Sequence, residues 1–239
     1  MLAVPSAAYK NCKMAQAIIF DIDGTLIDSV DLHAQAWQEA FRDFGFDFPF
    51  DEIRSQIGKG GDQLLPVFLD QKDVAEKGKE IEHYRSDLFK RKYLAQVKPF
   101  PGVRPLFQRI LSSGQKVALA SSAKGDELQE YERIAGIEDL VQAETSSADA
   151  EKSKPHPDIF EAALAKLGSD VPKEAVIVVG DTPHDAEAAS KAGLRTVGVR
   201  CGGFVEADLL RAGCIAVFDG PEDLLQNYDQ SPLSANAYK

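Results

Sequence analysis

Short apolar runs recur along the chain, separated by segments with the periodicity of α-helices. The runs are almost continuously apolar, which is the pattern of strands buried on both faces of a parallel sheet. Helical patterns lie between them, as at 157–167 and 185–192. This alternation favours a doubly wound, Rossmann-like α/β fold with a parallel sheet. The predicted strands are Ala17–Phe20, Val117–Ala120, Val176–Val179, Thr196–Val199 and Ile215–Phe218.

Residues 30–97 interrupt this alternation, because they contain no convincing strand. Apolar residues recur there at helical spacing, as in Trp37, Phe41 and Phe44. We therefore predict an all-helical cap domain inserted after the first strand, at the end of the sheet where ligands bind. The predicted organisation is a disordered leader at 1–13, a core at 14–29 and 98–228, a cap at 30–97 and a C-terminal tail at 229–239.

The composition narrows the classes of partner. The chain of 239 residues has 38 acidic against 27 basic side chains, a formal charge of −11. Such a surface repels nucleic acid, so we expect no nucleic-acid partner. We expect no membrane partner, because no apolar run approaches the roughly 18 residues that cross a bilayer. Three cysteines without a C-x-x-C pattern, and no secretory signal, favour a cytoplasmic protein without disulfides or zinc.

Two carboxylates, Asp21 and Asp23, follow the first predicted strand directly. A carboxylate at the C-terminal end of a parallel strand points into the ligand crevice. Two so close together favour a divalent cation, and their hard oxygen atoms suit Mg²⁺. One of them could then attack a phosphoryl group while the other transfers the proton of the leaving group. The alternative is an aspartate-rich turn without a catalytic role.

Polar residues also follow the later strands. Ser121 and Ser122 come after the second strand, where hydroxyl and backbone N–H groups can hold phosphate oxygens, although Ser121 could instead cap a helix. Lys154 lies in a K-P-x-P string and could offset negative charge, unless it is an exposed loop lysine. Asp181 follows the Val176–Val179 strand and could complete a metal site, although it could also cap a helix. Asp185, four residues later, could bind metal waters or orient Lys154.

These four segments, in this order, resemble the motifs of haloacid dehalogenase-like phosphatases, beginning with D-x-D-G-T-x-x-D at residues 21–28. The resemblance covers nearly the whole chain after Met14, which could be the natural start. It implies a helical cap that closes over the site. It also implies Mg²⁺ held by Asp21, Asp23 (through its backbone carbonyl), Asp181 and Asp185, with Asp21 as nucleophile, Asp23 as general acid and base, and Ser121 and Lys154 on the phosphate.

The cap and the nucleophile segment supply the predicted substrate-binding residues. Lys59 and Asp62 lie in the glycine-rich turn 57–63, where Lys59 could meet a second anionic group and Asp62 a hydroxyl. A solvated interhelical loop is the alternative for that turn. His33 could face the cleft between cap and core or pack on Trp37. The predicted substrate-binding residues are Gly24, Thr25, His33, Lys59, Asp62 and Ser122.

The predicted function is a magnesium-dependent phosphomonoester hydrolase that acts on a small phosphorylated metabolite, a sugar phosphate or a phosphoglycolate-like compound, through an aspartyl phosphate. Within the family, Asp23 argues against dehalogenases and phosphonatases, which lack this second aspartate. The alternative is a phosphosugar mutase of the β-phosphoglucomutase type, which shares the spacing of His33 and Trp37 and should need extra basic cap contacts. A non-enzymatic phospho-accepting or binding module is a third possibility. We expect a monomer or a homodimer.

Overall fold

The structure is a computed structural model that describes residues 15–234, so the predicted leader and the question of a start at Met14 lie outside it. Six strands form one sheet in the order β5-β4-β1-β6-β7-β8, and every neighbouring pair is parallel. The predicted parallel sheet is therefore confirmed. The strands are β1 (Ala17–Phe20), β2 (Ile27–Asp28), β3 (Lys98–Pro99), β4 (Lys116–Ala120), β5 (Ala143–Thr145), β6 (Val176–Gly180), β7 (Arg195–Val199) and β8 (Cys214–Phe218).

The central strand β1 explains why the apolar runs are continuous. It pairs with β4 on one side and β6 on the other, and all four of its side chains are fully buried. Ile18 and Phe20 belong to the core on one face of the sheet, while Ala17 and Ile19 belong to the core on the other. Each strand residue thus has an apolar environment whichever face it points to.

The edge strand β5 was not predicted from the sequence. It has only three residues, and its middle residue, Glu144, is exposed. An edge strand has a free side that tolerates charge, so it carries no apolar run. Its pairing with β4 nevertheless extends the sheet beyond the predicted strands.

Helices cover both faces of the sheet, and four more form the cap. The cap helices pack around their own apolar core, in which the Phe41 ring contacts the rings of Phe48 and Phe68. None of the helices within residues 15–234 is long and apolar enough to span a membrane. The helices are α1 (Val30–Asp43), α2 (Phe50–Arg54), α3 (Gly61–Phe68), α4 (Gln71–Lys92), α5 (Val103–Ser112), α6 (Gly125–Ala135), α7 (Asp158–Leu167), α8 (Pro183–Lys191), α9 (Glu206–Arg211) and α10 (Pro221–Gln226).

The two connections between cap and core run side by side. The short strands β2 and β3 pair in antiparallel fashion, with Ile27 opposite Pro99 and Asp28 opposite Lys98. The chain therefore leaves and re-enters the core at one place, close to the C-terminal end of β1. This places the cap over the end of the sheet that carries Asp21. The exact bounds of cap, core and tail stay predictions.

The chain beyond residue 229 packs against the core as far as it is described. Leu233 is fully buried, and its carbonyl accepts a hydrogen bond of 2.7 Å from the Gln115 side chain. The same amide group donates to the carbonyl of Ala15, at 2.8 Å. Gln115 thus ties both ends of the described chain to the start of β4.

Glu132, on α6, is buried beside Glu144 of β5 and should make stability depend on pH. Burial, and then the hydrogen bond and charge of Glu144, raise the pKa of Glu132 to about 8. Because the pKa of Glu132 is higher in the folded state than in the unfolded state, protonation of Glu132 contributes to stability. This contribution is complete below the unfolded pKa and is lost as the pH rises towards 8. We expect Glu132→Gln to leave stability at pH 5 nearly unchanged and to raise it by about 2 kcal/mol at pH 8.5, which is less than half of what the full shift would give because solvent at the exposed Glu144 screens the interaction.

Urea unfolding at the two pH values measures this difference. Glu76→Gln makes the same charge change at an exposed position of α4 and serves as the control. An equal effect of Glu132→Gln at pH 5 and pH 8.5 would contradict the assignment.

Candidate active site

The predicted acidic residues meet at the C-terminal end of the sheet. Asp21 directly follows β1, and Asp181 directly follows its neighbour β6. Asp185 lies in the first turn of α8, which begins two residues after Asp181. Carboxylate oxygens of the three residues lie within 4.8 Å of one another, and all three residues are buried. Strand pairing thus brings together aspartates that are 160 positions apart.

Lys154 lies among these carboxylates. It is only 1% exposed, so it is not an exposed loop lysine. Its Nζ contacts Asp21 Oδ1, lies 2.8 Å from Asp185 Oδ1 and donates to the Ala120 carbonyl at 3.3 Å. Burial alone would lower the pKa of Lys154, but Asp185 and Asp21 together hold it above its usual value. The lysine therefore keeps its charge.

Three buried carboxylates share this one lysine, which leaves an excess of negative charge. Burial is the largest influence on the pKa of Asp21 and raises it, while the charge of Lys154 lowers it. Repulsion from Asp185 and Asp23 raises the pKa further, and the net value is about 7. Burial and the charges of Asp185 and Asp21 also raise the pKa of Asp181 well above its usual value. Such a cluster is stable with ionised carboxylates only when further positive charge is present.

The surroundings of Asp181 fit a divalent cation. Its Oδ2 is buried and has no hydrogen-bond partner within residues 15–234. Gly24 and Gly202 approach it so closely that a Cβ atom would lie 2.3 Å and 1.7 Å, respectively, from this oxygen. Gly24 also has φ +80°, which side chains rarely adopt. The unpaired carboxylate oxygen and the hard oxygen donors around it are what a divalent metal ion requires.

Asp181 and Asp185 have different local roles. The N-cap residue of α8 is Thr182, so Asp181 is not a helix cap. Asp185 Oδ2 accepts hydrogen bonds from the Thr182 N–H at 3.1 Å and from its hydroxyl at 2.6 Å. This capping box fixes Asp185 with Oδ1 towards Lys154. Asp185 is thereby held in an ion pair with Lys154, and its predicted roles towards metal waters and the lysine stay predictions.

The Asp23 carboxylate makes its hydrogen bonds outside this cluster. Its Oδ1 accepts from Ser29 Oγ at 2.6 Å and lies 2.9 Å from His33 Nε2. Burial would raise the pKa of Asp23, but the charge and hydrogen bond of His33 and the hydrogen bond of Ser29 lower it. Asp23 thus has hydrogen-bond partners of its own, separate from those of Asp21. Its predicted metal contact involves the backbone carbonyl and stays a prediction.

Four residues predicted to bind phosphate or substrate, namely Gly24, Thr25, Ser121 and Ser122, lie near the carboxylate cluster. Thr25 Oγ1 is fully buried and lies 3.0 Å from Asp181 Oδ1 and 3.3 Å from Asp21 Oδ2, so Thr25, like Gly24, packs on the carboxylates. Ser121 is fully buried, and its Oγ accepts from the Ala123 N–H at 3.0 Å. Because the N-cap residue of α6 is Lys124, Ser121 is not its cap. Ser122 lines the cavity above the carboxylates.

A cavity of about 250 Å³ lies above Asp21 and Asp23, between cap and core. Lys59, Asp62 and His33 line it, so the glycine-rich turn faces the site and is not merely a solvated loop. The His33 ring stacks on Phe89, with centroids 3.9 Å apart and planes inclined by 7°. The predicted alternative, packing of His33 on Trp37, is not the stacking that the structure shows.

Two polar contacts hold the cap turn against the core. Asp62 Oδ2 accepts from the backbone N–H of Ser153, at 3.1 Å, next to Lys154. Arg54 donates to the carbonyl of Gly202, at 3.0 Å, next to the Asp181 carboxylate. Asp62 is therefore a contact between cap and core in addition to a lining residue.

Several residues that line the cavity were not predicted from the sequence. Arg85 has its guanidinium 4.9 Å from the Trp37 ring centroid and Nη1 3.5 Å from His33 Nδ1. Its signal was an arginine at the helical position between Ile81 and Leu88, on the buried stripe of α4. Lys124, at the end of the segment that begins with Ser121, was not predicted to contribute to the site but lines the cavity. The other missed lining residues include Glu82, Glu127 and Glu151.

Comparison with known proteins agrees with this geometry. The family model described as haloacid dehalogenase-like hydrolase matches residues 18–199. The chain belongs to this family. The resemblance seen in the four sequence segments is thus confirmed, and with it an enzyme of the hydrolase class.

Individual relatives cover most of the chain. A phosphorylated carbohydrates phosphatase of Thermotoga maritima is 28% identical over 88% of this chain and 96% of its own length. A phosphoglycolate phosphatase of Aquifex aeolicus is 31% identical over 76% of this chain and 83% of its own. The crystal structure of a hydrolase from Pseudomonas syringae has a TM-score of 0.83 and 27% identity, covering 91% of this chain and 99% of that one.

Asp181→Asn should separate the two effects of the acidic cluster. In chelator, we expect the variant to melt at or above the wild-type temperature, because one of three repelling buried carboxylates is gone. With a divalent cation at one hundred times its Kd, the wild type should gain about 2.7 kcal/mol, and the variant should gain little. Thermal melts with and without cation measure both.

The control is Asp170→Asn, an exposed partner of Lys116. It should keep the wild-type response to the cation. A wild-type response in Asp181→Asn would rule out Asp181 as a ligand.

Proposed function

We propose that the protein is a magnesium-dependent phosphomonoester hydrolase that acts on a small phosphorylated metabolite through an aspartyl phosphate. The observation that carries the proposal is the separation of two neighbouring aspartates. Asp21 lies in the buried carboxylate cluster against Lys154, whereas the Asp23 carboxylate is held apart by Ser29 and His33. One segment thereby presents a nucleophile and an independent acid–base group to the same cavity.

In the proposed reaction, Asp21 attacks the phosphorus and displaces the alcohol. Lys154 neutralises charge on the nucleophile and on the transferring phosphoryl group, and Ser121 holds a phosphoryl oxygen. Mg²⁺, bound by Asp21, Asp181 and Asp185, would supply further positive charge for the phosphoryl oxygens. Asp23 protonates the leaving alkoxide and then takes a proton from the water that hydrolyses the aspartyl phosphate.

The substrate class follows from the size and charges of the cavity. A volume of about 250 Å³ suits a small ester. Lys59 and Asp62 of the cap turn line this cavity and offer a cation and a hydroxyl acceptor, respectively. The named relatives act on phosphorylated carbohydrates and phosphoglycolate. We therefore propose a phosphorylated carbohydrate or a phosphoglycolate-like compound. The cytoplasmic location and the monomeric or homodimeric state stay predictions.

Asp21→Asn tests the hydrolase directly. We expect the wild type to release phosphate from a compound class within a panel of phosphorylated metabolites, with Mg²⁺ and not with chelator. Asp21→Asn should lose at least about 10³-fold in kcat, because an amide is not a nucleophile at phosphorus. The colorimetric phosphate assay measures both.

A cooperative thermal melt of the metal-free Asp21→Asn protein, with its midpoint well above the assay temperature, would show that the variant is folded and that the loss is chemical. Wild-type turnover in Asp21→Asn would disprove the mechanism.

One observation favours a second candidate, the phosphosugar mutase. Besides Lys59, the cavity is lined by Arg85 and Lys124, so cations are present for a second phosphate. With β-glucose 1-phosphate and catalytic glucose 1,6-bisphosphate, a mutase forms glucose 6-phosphate faster than free phosphate, whereas a hydrolase releases phosphate. We expect phosphate release to exceed isomerisation. Coupled detection of glucose 6-phosphate beside the phosphate assay distinguishes the two.

A further inference from the structure

Three side chains outside the four sequence segments extend the contacts of Asp23 into the core. His33 Nε2, which lies 2.9 Å from Asp23 Oδ1, also lies 3.3 Å from the hydroxyl of Tyr131. Tyr131 in turn donates to Glu127 Oε1 at 2.5 Å. Tyr131 is fully buried and Glu127 is 5% exposed, so water does not compete freely for these groups. The proposed mechanism gave neither residue a role.

The direction of these hydrogen bonds follows from the donors available. An arginine guanidinium can only donate, so the contact of 3.5 Å from Arg85 Nη1 makes His33 Nδ1 an acceptor. A ring proton of His33 is then on Nε2, facing Asp23. The Tyr131 hydroxyl has one proton, and its short contact with the Glu127 carboxylate uses it. The Tyr131 oxygen is therefore an acceptor towards His33.

The His33 ring is thus fixed at each of its polar atoms and on one face. Arg85 holds Nδ1, Tyr131 and Asp23 share the proton on Nε2, and Phe89 stacks on the ring. Ser29 and His33 both bind Oδ1 of Asp23. Within residues 15–234 no donor is bound to Oδ2, which leaves that oxygen to exchange a proton with the leaving group or water.

We propose that Tyr131, oriented by Glu127, is a positioning residue that sets the orientation of His33 and thereby presents Asp23 Oδ2 to the leaving group. The inference rests on the proposed role of Asp23 as the acid–base group. Tyr131 does not line the cavity and need not contact the substrate. Its effect should therefore appear in proton transfer and not in substrate binding.

The test is Tyr131→Phe, which keeps the buried ring and removes the acceptor. Two probe esters separate proton transfer from a general defect: phenyl phosphate, whose leaving group needs protonation, and para-nitrophenyl phosphate, whose leaving group needs little. We expect kcat/KM to fall about tenfold for phenyl phosphate and less than about twofold for para-nitrophenyl phosphate. A purely structural defect would lower both equally, and that result would overturn the proposal.

A double-mutant cycle tests whether Tyr131 acts through His33. In a His33→Gln background, Tyr131→Phe should have no further effect on phenyl phosphate. An undiminished loss in that background would overturn the proposal. Tyr84→Phe is the matched control, because the Tyr84 hydroxyl donates to the Asp43 carboxylate at 2.6 Å on the surface of the cap. It should retain wild-type kinetics with both esters.

Nitrogen-15 NMR of the imidazole rings gives a readout that does not depend on turnover. The chain has 4 histidines, and His33→Gln identifies the signal of His33. We expect the wild type to carry the His33 proton on Nε2, in slow exchange with water. Tyr131→Phe should accelerate that exchange at least about tenfold, while Tyr84→Phe should not. Unchanged exchange in Tyr131→Phe would overturn the proposal.

The two proposals fail in different ways. If the wild type cleaves neither these esters nor any member of the metabolite panel, the proposed hydrolase is wrong, and the exchange experiment still decides whether Tyr131 positions His33. If the wild type cleaves both esters but Tyr131→Phe does not discriminate between them, the hydrolase stands and the positioning role is wrong.

Discussion

The buried ion pairs of Lys154 are the interaction on which the rest of the site depends. The Nζ atom contacts Asp21 and lies 2.8 Å from Asp185, each carried by a different part of the core. Removing one partner of a buried pair leaves an uncompensated charge, which is more destabilising than losing a surface pair. The lysine therefore fixes the relative positions of the loop before α7, the end of β1 and the first turn of α8. The third carboxylate, Asp181, remains for a cation.

The protein and its proposed substrate are both negatively charged and therefore repel each other. The chain carries a formal charge of −11, and Asp21, which lines the cavity, belongs to a cluster of three buried carboxylates. A phosphate ester can approach only because positive charge is concentrated locally. Lys154 supplies it below the cavity, and Lys59, Arg85 and Lys124 supply it around the walls. Binding should consequently be sensitive to the cation occupying the cluster more than to the overall charge of the surface.

The parts of the fold and site that follow from local sequence were predictable. Continuous apolar runs identified five of the six strands of the main sheet, and the carboxyl ends of those strands identified Asp21, Ser121 and Asp181. Lys154 was identifiable only through its proline string, since nothing local distinguishes a buried lysine from an exposed one. Strand β5 was missed because three residues with a glutamate in the middle carry no apolar pattern.

Contacts between distant segments were not predictable in the same way. Tyr131 and His33 are separated by 98 positions, and Tyr131 alone looks like an ordinary buried residue of an amphipathic helix. Arg85 could have been found, because it interrupts the apolar stripe of α4. The hydrogen bonds of Asp23 could not be predicted from the sequence, since they depend on where the start of α1 places Ser29 and His33.

The pairing of β2 with β3 has a consequence for how such a protein can be rebuilt. Because the chain leaves and returns at paired residues, the intervening segment can change in length or sequence without moving any strand of the main sheet. The exchangeable unit does not begin where the helices begin, however. Ser29 and His33 bind Asp23, so the start of α1 belongs functionally to the core. A chimera that grafts a foreign cap should therefore keep the native residues up to His33, together with Arg85 and Phe89 of α4, which contact the His33 ring.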